Sequence, residues 1–148
     1  MIRMTMLSLL MVFSFFLRAQ NYKEPVYTVK GFAIKGYDAV AFFTLKKGEK
    51  GSEQFSYDWK GSKWLFSSKE NLDLFKSDTE TYAPQYGGYC AWGMKNGYKA
   101  KTDPANAWII HNGKLYLNYN QSIKNKWLKD KNGYIKTADE NWKKKVKE

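Results

Sequence analysis

The feature that most constrains this chain is a short pair of apolar segments closed by a glycine turn. Asn112-Gly113 lies between Trp108–His111 and Lys114–Leu117. An Asn-Gly pair in that setting is the strongest local hairpin signal, because both residues tolerate a positive φ. Counting outward pairs His111 with Lys114, Ile110 with Leu115, Ile109 with Tyr116 and Trp108 with Leu117. A second hairpin is predicted over Phe55–Phe66, where Gly61-Ser62 suits a type II′ turn. That turn sets Lys60 opposite Lys63, Trp59 opposite Trp64, Asp58 opposite Leu65 and Tyr57 opposite Phe66.

Helices fill the intervals. Ser67-Ser68-Lys69-Glu70 reads as a capping box, a Ser side chain closing the first turn with Glu70 three residues on. The helix behind it carries Leu72 and Phe75 on one face, with Leu74 flanking. After Asn118-Tyr119-Asn120 a helix sets Ile123 and Trp127 one turn apart. Thr137-Ala138-Asp139-Glu140 is predicted to open a terminal helix with Trp142 inside and Lys143, Lys144, Lys145 and Lys147 at its end, where cations complement the helix dipole. Ala39–Phe43 is an apolar run expected to form a short buried strand. The expected fold class is α+β: one small domain with two β-hairpins forming antiparallel sheet, and several short helices.

Cys90 is the chain's one cysteine and His111 its one histidine. No intramolecular disulfide, Cys-only metal cluster or two-imidazole site can be built within one chain. The acids are scattered, and no two stand at catalytic spacing on one predicted element. Asp38, after Gly36-Tyr37, is expected to cap a turn. No catalytic residue is assigned.

The first residues differ from the rest. Arg3 precedes a 14-residue, mostly apolar run from Met4 to Leu17, with small Ala19 before the polar Gln20-Asn21. As a helix the run would span about 21 Å, short of the roughly 30 Å hydrocarbon core. It reads as a secretory signal peptide over 1–19, followed by a polar lead-in or edge strand over 20–33 and a domain over 34–148. The expected location is outside the cytoplasm, periplasmic or secreted, with no stable membrane span once the signal is removed. The formal net charge is +11. Both arginines, Arg3 and Arg18, fall in the signal segment, so the remaining cations are lysines. Bidentate readout of guanine or phosphate favours guanidinium, and nucleic acid is not an expected partner. Lysine charge suits solubility or diffuse contact with anionic surfaces.

The phrases Gly36-Tyr37-Asp38-Ala39-Val40-Ala41-Phe42, Tyr57–Phe75, Tyr82–Ala91 and Gly113–Asn120 together resemble the YHS domain family, and the longer ones an exported YHS subgroup. The resemblance spans roughly residues 34–142. It implies a small single domain behind a signal peptide, in a family usually described as metal-binding. The family's cysteines would fall on Ala41, Ser67 and Asn71, which are not thiols. Thiolates select soft metals, so that ligand set does not carry over.

Cys90 remains the sharpest candidate. It sits in the aromatic, Gly-rich stretch Tyr86–Met94. In a helix, Cys90 and Met94 would share a face and offer two sulfur ligands to a copper ion, with His111 completing a three-coordinate site. The alternative is packing: Cys90 as a small hydrophobe, Met94 as a gap filler and the glycines as turn formers. Tyr86, Tyr89 and Trp92 are the candidates for contact with a flat or sugar-like ligand. The expected function is a non-enzymatic binding module handling a metal or small ligand through Cys90. Against it stand an adhesive module meeting anionic surfaces or glycans through lysines and aromatics, and a small thiol enzyme using Cys90.

Overall fold

The computed structural model describes residues 24–148, so the signal peptide expected over 1–19 lies outside the described residues. The chain begins with two short strands, β1 (Thr28–Val29) and β2 (Phe32–Ala33), then a helical turn and helix α1 (Ala41–Thr44). Next come β3 (Ser52–Trp59), β4 (Ser62–Phe66), α2 (Lys69–Ser77), α3 (Thr79–Tyr82) and α4 (Ala91–Lys95). The second hairpin, β5 (Trp108–His111) and β6 (Lys114–Leu117), leads into α5 (Gln121–Trp127) and α6 (Lys131–Lys145). The α+β class holds. The hairpins occupy separate sheets: one of four strands, ordered β1-β2-β4-β3, and one of two, β5-β6. A parallel contact between Phe32 and Lys63 joins β2 to β4 within the larger sheet, so residues 28–33 belong to the fold. Among the described residues no helix is long and apolar enough to cross a membrane.

The β5–β6 register is the one its Asn-Gly turn predicts, from His111↔Lys114 out to Trp108↔Leu117. The β3–β4 turn lies one residue earlier than expected. Trp59 faces Ser62, Asp58 faces Lys63 and Tyr57 faces Trp64. Lys60 and Gly61, at φ 49° and 70°, are the central residues, as a type I′ turn requires. The shift moves every partner by two residues, so each side chain keeps its face. The aromatic pattern is therefore the same in both registers, and the turn alone chooses between them. Trp59 and Trp64 still touch, now diagonally, with ring centroids 5.5 Å apart.

Three local expectations are corrected. Ala39–Phe43 is not a strand, though Ala39 to Phe42 are buried: Asp38 Oδ1 accepts hydrogen bonds from Val40 N at 2.8 Å and Ala41 N at 3.1 Å, starting α1. The cap of α2 is Ser68, which accepts from Asn71 N. Ser67 instead donates its hydroxyl and backbone N–H to Asp38 Oδ2, at 2.7 and 2.8 Å. The terminal helix starts at Lys131 rather than Thr137, capped by Asp130 accepting from Gly133 N. A Cβ on Gly133 would stand 2.3 Å from Asp130 Oδ2, so the glycine that reads as a helix breaker is what lets the cap close.

Two cores result. The first gathers Ile34, Val40, Phe42, Trp64, Phe66, Phe75, Leu115 and Leu117. The second gathers Tyr86, Ala91, Met94, Tyr116, Trp127 and Ala138. The β5–β6 ribbon divides them. Leu115 and Leu117 face the first core and Tyr116 the second, because successive side chains leave a strand on opposite sides.

Candidate functional site

The structure places Cys90 at the N-cap of α4, 1% exposed. Its Sγ accepts from Gly93 N at 3.4 Å, and its S–H donates to Asn118 Oδ1 at 3.7 Å. The same Asn118 oxygen accepts from Trp92 N at 3.1 Å, tying α4 to the end of β6. Burial pushes the Cys90 thiol above its ordinary value, against a smaller opposing pull from nearby backbone N–H groups. The sulfur is therefore protonated at neutral pH, a weak nucleophile and a weak metal ligand.

Cys90 lies in the wall of a cavity of about 250 Å³ shared with Trp92, Tyr98, Ala100, Tyr119 and Ile123. Tyr98 and Tyr119 are 50% and 43% exposed and form its rim. Lysines cover neighbouring rings: Lys95 Nζ stands 4.2 Å from the Trp92 centroid and Lys101 Nζ 5.5 Å from that of Tyr119. An apolar hole with cations on its aromatic walls accommodates a ligand with an apolar body and an acidic group.

The other residues proposed from sequence are dispersed. Met94 is fully buried in the second core. His111 sits beside the hairpin turn with Nε2 3.0 Å from Asn132 Oδ1. Neither lines the Cys90 cavity, and among the described residues no three His, Cys, Asp or Glu side chains form a group able to hold a metal ion. Cys90, Met94 and His111, the residues expected to hold copper, thus stand in three different surroundings. Tyr89 packs on Tyr27, centroids 5.6 Å apart, under Lys99. Tyr86 belongs to a different cavity. Its hydroxyl donates to Asp139 Oδ1 at 2.8 Å, and burial together with that carboxylate raises its pKa strongly.

That second cavity, about 240 Å³, opens where residues 24–26, the β3–β4 hairpin, residues 80–87 and α6 converge. Trp59, Trp64, Tyr86 and Trp142 supply its aromatic surface; Glu24, Glu80 and Asp139 supply carboxylates. Lys60 Nζ pairs with Glu24 Oε2, reaches Glu80 Oε1 at 3.4 Å and lies 4.5 Å from the Trp59 centroid. Trp142 Nε1 donates to the other Glu24 oxygen at 3.3 Å. Of these residues sequence reasoning named Tyr86 alone as a site candidate; the others lie as many as 118 positions apart and share no motif. Tyr98, Ala100, Tyr119 and Ile123 were missed as parts of the first cavity for the same reason.

Comparison with known proteins returns nothing: no family model matches the chain, and neither a curated protein nor a solved structure is found similar to it.

Proposed function

We propose that this protein is an exported, YHS-like binding module without catalytic chemistry of its own, and that it holds a small ligand in the Cys90 cavity. The observation that carries the reading is the rim. Tyr98 and Tyr119 are two of the few large hydrophobic side chains more than a third exposed among the described residues, and both stand at the mouth of one apolar cavity. Exposed aromatic surface around a concavity is the ordinary signature of a ligand site. The lysines above Trp92 and Tyr119 favour an organic acid over a neutral hydrocarbon. Within this reading Cys90 is a polarisable contact on the cavity wall. A thiol enzyme is less well supported, since the thiol is buried and protonated and His111 is paired with Asn132.

The test uses anilinonaphthalene sulfonate, an aromatic anion that fluoresces in apolar surroundings. Binding at a single site, lost when Ala100→Trp fills the cavity and retained at 0.5 M salt to about a third or better, is the expected result. Binding that collapses with salt and ignores Ala100→Trp would move the function to the lysine and aromatic surface, as an adhesive module would require. Uptake of copper(I) abolished by Cys90→Ser would instead restore a metal-handling role.

A further inference from the structure

The cleft around Lys60 presents a different chemistry from the Cys90 cavity. Three of the chain's 14 acidic residues, Glu24, Glu80 and Asp139, line it, in a protein whose net charge is strongly positive. Among the described residues the cations lining it are Lys60 and Lys143. Lys60 already shows what the cleft is complementary to: its ammonium is held by two carboxylates and faces the Trp59 ring. Carboxylates together with an indole face form the usual environment of a bound alkylammonium.

Among the described residues three two-residue hairpin turns have a positive φ at both central residues: Lys30-Gly31, Lys60-Gly61 and Asn112-Gly113. The Lys60 turn is the one whose ammonium points into this cleft. Asparagine is the favoured residue at the first central position of such a turn. The lysine stem is flexible, and the space beside it extends to Asp139, which receives one hydrogen bond, from Tyr86.

We propose that this cleft is a binding site for a primary alkylammonium group, with Lys60 as its built-in, displaceable occupant. A ligand amine takes the place of the Lys60 ammonium between Glu24 and Glu80 and over Trp59, while Lys60 swings to solvent. The ligand class is a small aliphatic amine, or an amine-terminated side chain on a larger molecule.

The experiment exploits the turn. Lys60→Asn puts the residue favoured by type I′ geometry at position 60 while emptying the ammonium position, so the variant is expected to fold. n-Butylammonium is titrated at constant ionic strength into the wild type and the variant, with 1-butanol as neutral control. The indole N–H resonances of Trp59 and Trp142 report binding. The expected result is saturable binding in the variant at least tenfold tighter than in the wild type, abolished by adding Glu24→Gln, with no response to 1-butanol. A folded Lys60→Asn protein that ignores n-butylammonium, or that binds 1-butanol equally, overturns the proposal. Ala100→Trp leaves the amine titration unchanged, so the two cavities succeed or fail separately.

Discussion

Asn71 Nδ2 donates a 2.7 Å hydrogen bond to Asp38 Oδ2, fastening α2 to the loop that begins α1. The carboxylate is fully buried and also receives Val40 N, Ala41 N, Ser67 N and Ser67 Oγ. Ser67 and Asn71 are two of the positions where the resemblance to the YHS family led cysteines to be expected. Here they close a hydrogen-bonded knot around one acid, with no soft ligand among them.

Asp38→Ala strands all five donors in the interior. It should lower unfolding free energy by about 3 kcal/mol or more, read from urea unfolding followed by tryptophan fluorescence. Asp38→Asn recovers only part of this, because its amide nitrogen cannot accept from Ser67.

Two buried tryptophans should respond oppositely to removal of their N–H. Trp64 Nε1 donates to Trp59 O at 3.0 Å, whereas Trp127 Nε1 is buried without a partner among the described residues. Trp64→Phe loses both volume and a bond, while Trp127→Phe loses volume but relieves an unpaired donor. The first should cost about 1–2 kcal/mol more than the second, and a pair of denaturant curves decides it.

Gly87 holds the segment carrying Glu24. Its φ is +61° and an added Cβ would come within 2.0 Å of Pro25 O, where Tyr27 N now donates to Gly87 O at 2.9 Å. Gly87→Ala should destabilise by about 2–4 kcal/mol and expose the Tyr27 amide to rapid hydrogen exchange. Unchanged protection at Tyr27 would mean the segment is held by other contacts.

Stability should fall in alkali by a defined route. The Cys90 thiol is raised by burial above its ordinary 9.0, so folding favours its protonated form. That contribution is complete below the unfolded value and disappears as pH rises through the folded one. Tyr116 is pushed up to about 12, chiefly by burial, and Tyr86 is shifted the same way. Unfolding free energy measured from pH 7 to 11 should decline, and Cys90→Ala should flatten the part nearest pH 9. An identical slope in that variant would remove the thiol from the account.

What the sequence showed and hid follows from distance along the chain. The β5–β6 register set by its turn, the helix after Asn120 with Ile123 and Trp127 one turn apart, and Asp38 as a turn cap rest on neighbours within four residues. The first hairpin was misplaced by one residue because its aromatic face is the same in either register. The start of α6 was misplaced because Thr137–Glu140 has the form of a capping box, whereas the cap is Asp130 accepting from Gly133 N. Cys90 and Trp92 of the first cavity and Tyr86 of the second were legible as candidates, but neither cavity was legible as a whole. Each is assembled by tertiary contact between residues that carry no common signature, such as Glu24 with Lys60 and Trp142.

The ribbon between the two cores also governs how the chain assembles. Ile110 and Leu115 are needed by one half, Ile109 and Tyr116 by the other, so neither half can finish condensing until this hairpin exists. A two-residue turn closes in microseconds, long before distant segments such as Glu24 and Trp142 meet. The ribbon is thus the natural nucleus on which both halves form. Its central amides should be the last to exchange with solvent, and substitutions there should slow folding more than they speed unfolding.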